Sequence, residues 1–283
     1  MTPLRQKMID AMLVRGFSVR TQQSYLDAVV QLSRYYRRSP DSLSVDELQA
    51  YFLYLVKERH LSPASCRLYL NALRFFYVHV LQWPAFELTL HVPRREQRIP
   101  ELLTREEVAR IVDATANLKH RTLLATCYAC GLRVSEVVAL QVHHYDRERR
   151  LLRIEQGKGR KDRVVIVSPG LLAQWRLYWQ VYHPSTWLFY GRDPTLALSI
   201  TSAQRVFQRA KARSGVQRIG GIHSLRHAYA THQLESGLPV YRLQRLLGHN
   251  DLHSTLRYVH WVPNYREGNG TDLLAGWEVG HGA

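Results

Sequence analysis

Apolar positions recur at helical spacing through residues 4–14 and 19–37, and the second run stops at Ser39-Pro40. Ser44-Val-Asp-Glu47 has the form of a capping box and opens a helix through Lys57. Ser62-Pro63 pairs an N-cap hydroxyl with proline at the first helical position, opening a helix to about Leu81. Four helices in so short a stretch predict a compact bundle over residues 1–85.

Residues 86–100 break the pattern. Pro84, Pro93 and Pro100 bracket the basic string HVPRREQRIP, which reads as an extended interdomain linker. Thr104-Arg-Glu-Glu107 is a second capping box and starts a domain spanning 101–283. Helices are expected at about 105–115 and 119–130, the second stopped by Gly131, and a short helix carrying Glu136 follows. Leu151–Glu155 and Arg163–Val167 read as strands joined by a tight turn, GKGRKD. Helices resume at about 169–182, 201–213, 223–235, 239–247 and 254–260. The expected fold is mainly α with one small β-sheet: a helical bundle, then an α+β domain. No repeat or low-complexity block is visible, and the tail after Pro263 is glycine-rich apart from Leu273–Trp277.

Composition sharpens this picture. Lys plus Arg number 39 against 23 Asp plus Glu, for a formal net charge of +16, and the excess falls in both halves. A folded chain this basic points to a polyanionic partner, nucleic acid before membrane. Arg67 and Arg74 on the bundle, with Arg94, Arg95 and Arg98 in the linker, are candidate phosphate contacts. No apolar run approaches the ~20 residues of a membrane helix. Asp10 and Arg15 come too early for a signal peptide. Cys66, Cys127 and Cys130 make no disulfide framework, so a reducing cytoplasm is expected. Cys127-Tyr-Ala-Cys130 lies in an apolar run and reads as buried small hydrophobes rather than a metal or redox pair.

Cutting a phosphodiester without a metal needs a nucleophile, an acid for the leaving oxygen, and cations that meet the charge of the transition state. Arginine suits the last task because its planar fork matches two phosphate oxygens. His223-Ser-Leu-Arg226 places two such groups on one helical face, near a helix start after Gly220-Gly221. Gly248 leaves His249 in a turn, with Tyr258 nine residues on. Arg133 follows the glycine stop at 131, and Glu136 is one turn away to buttress a neighbour. Lys158 sits between two glycines at the hairpin tip, where a flexible turn lets a lysine reach into a site, and Lys161 is the hairpin's other lysine. His223 and His227 have metalloprotease spacing but lack the glutamate after the first histidine, so no metal is expected. His143-His144 reads as a solvated connection. Each element alone is weak, since a tyrosine on an amphipathic helix is more often core than nucleophile.

Taken together, the strings CGLRVSE, GKGRKDR, HSLRHAYATH and LLGHNDLHSTLRYVH resemble the tyrosine recombinases, or phage-type integrases, most closely their Xer-like branch. The resemblance spans nearly the whole chain and implies a SAM-like core-binding domain ahead of a catalytic domain, clamped on duplex DNA. It implies that Arg133 and Arg226 hold the scissile phosphate and His249 donates a third hydrogen bond. Lys158 would protonate the leaving 5′ oxygen, His223 would assist proton transfer at the tyrosine, and Glu136 would keep the site in register. Tyr258 would attack, giving a 3′-phosphotyrosyl bond and strand exchange through a Holliday junction. No cofactor is implied, and the expected partner is a recombination site bound by a homotetramer, with or without a second recombinase. Two departures stand out: the segment that docks on a neighbouring protomer would have to be Leu273–Trp277, and no arm-binding domain or integron-type insertion is present. Two other readings use the same residues: an accessory DNA-binding protein that has lost catalysis, and a topoisomerase-like relaxing enzyme.

Overall fold

A computed structural model describes residues 2–83, 101–155 and 162–262. The chain divides into two compact units, Met1–Arg98 and Ile99–Ala283.

The first unit is built from helices whose starts are written in the sequence. Thr2 caps α1 (Pro3–Val14), Ser18 caps α2 (Val19–Tyr36) and Ser62 caps α4 (Pro63–Phe75). The box at α3 (Val45–Lys57) is complete: the Glu47 amide donates to Ser44 Oγ, and the Ser44 amide donates to Glu47 Oε2 at 2.8 Å. Where one helix is expected to run to Leu81, α4 gives way to a π-helical turn, Phe76–Val80, closed by the Leu81 amide on the Phe76 carbonyl. The wider turn lets three consecutive side chains, Phe75, Phe76 and Tyr77, all face inward. They meet Met8, Met12, Leu32, Leu48 and Leu73 in the bundle core.

The second unit opens with α5 (Arg105–Asp113), capped by the Thr104–Glu107 box. Helix α6 (Leu118–Ala129) has no polar face to speak of: Thr122, Leu123, Leu124, Thr126 and Cys127 are all buried. Such a helix belongs at the centre of a domain. Its threonine at 126 is satisfied there, donating to the Thr122 carbonyl and accepting from Trp175 Nε1 at 2.9 Å. After α7 (Val134–Val138) come three antiparallel strands in the order β1 (Tyr145–Asp146), β2 (Leu151–Ile154) and β3 (Arg163–Ile166). The strand at 145–146 was not expected, being too short to show alternation. His144, just before it, is buried rather than solvated, and its Nδ1 accepts from the Gln141 amide.

In β3 the inward positions are Arg163 and Val165. Alternation therefore sends a guanidinium beneath the sheet where an apolar group would be ordinary. Helices α8 (Pro169–Tyr182), α9 (Ile200–Ser214), α10 (His223–Glu235), α11 (Val240–Leu247) and α12 (His253–Val259) complete the unit. Leu225 and Ala228 of α10 join the main core, while Tyr229, Ala230 and Leu234 form a smaller cluster with Leu243, Leu247 and Tyr258. The Cys127 and Cys130 thiols are free and buried, and burial pushes both pKa values up. No described helix is long and apolar enough to cross a membrane.

Candidate active site

Two glycines turn the chain into the site. Gly131 ends α6 at φ +59°, and a Cβ there would lie 2.4 Å from the Tyr229 ring. Only a residue without a side chain fits that approach. The turn makes Arg133 the N-cap of α7 and sets Glu136 one turn inside it. Gly248 ends α11 at φ +62°, where a Cβ would meet Arg163 Cδ at 2.9 Å, and delivers His249.

Glu136 is the hub. Its carboxylate accepts from the Arg133 amide at 2.8 Å and from Arg133 Nη1 at 2.6 Å. Arg163 adds a two-bond fork at 2.9 and 2.7 Å, and Arg226 Nη1 stands 3.6 Å away. Burial pushes the carboxyl pKa up, but the Arg163 hydrogen bonds and charge, the Arg133 amide and the Arg226 charge outweigh it and hold it at about 2. Three guanidiniums around one carboxylate leave two positive charges uncompensated, a surplus of the kind that suits an anion.

Arg226 is 1% exposed. It donates to the Gly131 carbonyl at 2.8 Å, to the Leu247 carbonyl at 2.6 Å and to His249 Nε2 at 3.1 Å. Burial and the nearby Arg133 charge lower its pKa to about 10, which leaves it charged at neutral pH. Because arginine only donates, Nε2 of His249 must be the bare nitrogen. The proton then sits on Nδ1, which donates to Thr255 Oγ1 at 2.8 Å. Burial, then the Arg226 and Arg133 charges, depress the His249 pKa to about 3, so the ring is neutral.

Tyr258 on α12 is 0% exposed. Its ring stacks parallel to His249 at 6.2 Å and meets Trp261 edge-on at 5.0 Å. The Arg257 guanidinium lies over the Tyr258 and Trp261 rings. The tyrosine hydroxyl lies 3.0 Å from Nδ1 of His227, not beside His223. His223, first residue of α10, packs edge-on against His227 at 4.6 Å. Burial, then the Arg226 and Arg133 charges, lower its pKa to about 4. Among the described residues, no group of three His, Cys, Asp or Glu is placed to hold a metal ion.

The structure thus brings Arg133, Glu136, His223, Arg226, His249 and Tyr258 into one cluster. Arg67 and Arg74 lie two turns apart on the exposed face of α4, in the other unit. Lys158 and its alternate Lys161, together with Arg94, Arg95 and Arg98, lie outside the described residues, as do the 86–100 segment and Leu273–Trp277. Sequence reading missed Arg163, His227, Thr255 and Trp261. Arg163 carried a faint signal, as a charged residue at an inward position of an alternating strand.

Residues 101–264 match the phage integrase family, and residues 4–85 match the phage integrase N-terminal SAM-like domain. The y4qK protein of Sinorhizobium fredii is 40% identical across 93% of this chain and 86% of its own. The tyrosine recombinase XerD of Rhizobium meliloti is 30% identical, covering 87% of this chain and 86% of its own. The fold also matches a lambda integrase (75–356) dimer bound to a core site, with TM-score 0.74 at 16% identity, over 89% of this chain and 95% of that one. With the hub of arginines, the histidines and Tyr258 in a domain of this shape, the chain belongs to the phage integrase family, in the Xer-like branch of the tyrosine recombinases, enzymes that break and rejoin DNA.

Proposed function

We propose that Tyr258 attacks a scissile phosphate in a DNA recombination site and forms a 3′-phosphotyrosyl bond. Arg133 and Arg226 clamp the phosphate, and Lys158 protonates the 5′ oxygen as it leaves. The free 5′ hydroxyl of a partner strand then attacks the phosphotyrosine, so the strands exchange through a Holliday junction with no ATP, metal or cofactor. The observation that carries this reading is the surplus of positive charge around Glu136, held rigid by that carboxylate and neighboured by a tyrosine.

The electrostatics agree with that order of events. Arg133 and Arg226 help depress His223 and His249 while the site lacks an anion. An arriving phosphate offsets those charges and makes both histidines more basic. His223 can then assist the phenol's proton transfer. His249 donates to the phosphate only after Arg226 turns from Nε2 to the phosphate and that nitrogen gains a proton.

The N-terminal unit serves as a DNA-binding domain, with Arg67 and Arg74 on phosphates and Arg94, Arg95 and Arg98 continuing the track. Four protomers assemble on two sites, alone or with a second recombinase. The three buried, unpaired cysteines suit a reducing cytoplasm.

Covalent capture tests the reading. Wild-type and Tyr258→Phe proteins are incubated with nicked duplexes carrying candidate sites, with chelator present, and resolved on a denaturing gel. An adduct with wild type alone is expected. An adduct with Tyr258→Phe would remove Tyr258 as the nucleophile.

A further inference from the structure

A tyrosine that attacks phosphorus must bring its oxygen to about 3–3.5 Å from that atom. Tyr258 is 0% exposed, so no group the size of a water molecule touches its ring or its hydroxyl. A phosphate oxygen is no smaller. The arrangement described above is therefore one from which attack cannot begin, and something holds it.

The ring is held by packing. Tyr258 belongs to an apolar cluster with Tyr229, Leu243, Leu247 and Val262, and Trp261 closes one edge. Packing alone does not account for a buried hydroxyl, which needs a partner. His227 Nδ1, at 3.0 Å, is the acceptor recorded for it among the described residues. A phenol proton pointed at Nδ1 requires that nitrogen to be bare. Burial, then His223 and the Arg257 and Arg226 charges, keep the ring neutral and so able to accept.

The position along α10 matters as much as the bond. Arg226 turns into the arginine cluster, whereas His223 and His227, four residues apart, share a face and touch ring to ring. The two histidines differ in what surrounds them. His223 feels Arg226 and Arg133 as the leading charges, and His227 feels His223 and Arg257 first. The two rings stand one helical turn apart, with His223 the first residue of α10.

We propose that His227 is a positioning residue for the nucleophile: it stores Tyr258 by accepting the hydroxyl's hydrogen bond, and this bond breaks before attack, when the hydroxyl passes one turn along α10 toward His223. The proposal rests on Tyr258 being the nucleophile. Removing the acceptor leaves a buried hydroxyl unpaired, a penalty that shifts the stored state toward release by about five- to 150-fold.

The test reads Tyr258 directly. Tyrosine nitration by tetranitromethane, mapped by mass spectrometry, is followed without DNA for wild type, His227→Ala, His227→Asn and His227→Gln. Tyr178, also 0% exposed and far from α12 in sequence, reports whether the domain itself has loosened. Expected are a protected Tyr258 in wild type, labelling at least about tenfold faster in His227→Ala, and recovery of protection in His227→Asn, whose Oδ1 is bonded to Cγ as Nδ1 is and can accept from the hydroxyl. If alanine also unprotects Tyr178, the Asn and Gln variants carry the same contrast, since the longer amide sets its oxygen one carbon beyond the Nδ1 position. Adduct formation on nicked duplex is expected to be faster in His227→Ala than in wild type. Wild-type labelling rates in both Ala and Gln variants would overturn the proposal. So would an exposed Tyr258 whose adduct forms more slowly, since His227 would then be needed in the attack itself. An absence of adduct at Tyr258 in wild type would instead count against Tyr258 as nucleophile, whatever the labelling shows.

Discussion

Arg163 on β3 grips Glu136 on α7 with both terminal nitrogens, at 2.9 and 2.7 Å, and both side chains are almost wholly buried. Its third nitrogen donates to the Leu246 carbonyl at 2.7 Å, in the turn that leads to His249. One side chain thus joins the hairpin strand, the carboxylate hub and the histidine turn. Without it, the carboxylate would lose its two-bond fork and the cluster one of its three positive charges. Arg163→Ala is expected to cost roughly 3–5 kcal/mol of stability, as breaking one side of a buried pair does. Arg163→Lys should recover only part, because an ammonium cannot make the fork. Urea unfolding of the three proteins checks this, and near-wild-type stability of the alanine protein would sink it.

Gly131 combines a left-handed backbone with a ring 2.4 Å from where a Cβ would sit. Gly215, which ends α9 at φ +71°, has open space around it. Gly215→Ala should therefore cost only the backbone strain, about 1–2 kcal/mol. Gly131→Ala should cost that and a further ~1–3 kcal/mol of overpacking, and should displace the carbonyl that holds Arg226. Thermal unfolding separates the two glycines. Equal losses would mean that the Tyr229 ring moves aside freely.

Stability should fall steeply in acid. His223 titrates at about 4, and His227 and His249 at about 3, against an ordinary 6.5. Between those values the unfolded chain binds more protons than the folded one, so stability drops as pH falls below 6.5. Glu136, held at about 2 against an ordinary 4.5, adds a second loss below 4.5 in the same direction. Urea midpoints from about pH 7.5 to about pH 4 should decline throughout, with a shallower slope for His227→Gln. A flat profile above pH 5 would contradict the burial of these three rings.

The His249 tautomer is a direct spectroscopic target. Arg226 on Nε2 and Thr255 on Nδ1 require the proton on Nδ1 in the DNA-free protein. Nitrogen chemical shifts of labelled histidine should show that form. Thr255→Val strands the Nδ1 proton in a buried site, and a loss of about 1–3 kcal/mol is expected. A wild-type Nε2–H signal would show that the Arg226 contact is absent in solution.

Much of this was legible in the chain. Ser44, Ser62 and Thr104 announce helix starts because a cap is a local bargain between one hydroxyl and one amide. Arg133, Arg226 and His249 could be found because glycine stops and short spacings bracket them. His227 could not be, since it acts on a residue 31 positions along the chain. Thr255 is only six residues from His249, but a threonine there has nothing unusual to mark it. Arg163 was hidden in a basic hairpin, where one more arginine reads as surface. The π-helical turn at Phe76–Val80 follows from three consecutive inward aromatics, a demand of the bundle and not of local propensity.

The covered Tyr258 bears on how such a protein can live beside a genome. A basic chain of net charge +16 holds any duplex it meets, and wrong sites outnumber right ones by about a million to a billion. Were the phenol always presented, each chance encounter would be an opportunity for a nick. With Tyr258 as the proposed nucleophile, its burial would let the protein scan and let go, leaving the phosphodiester backbone intact behind it.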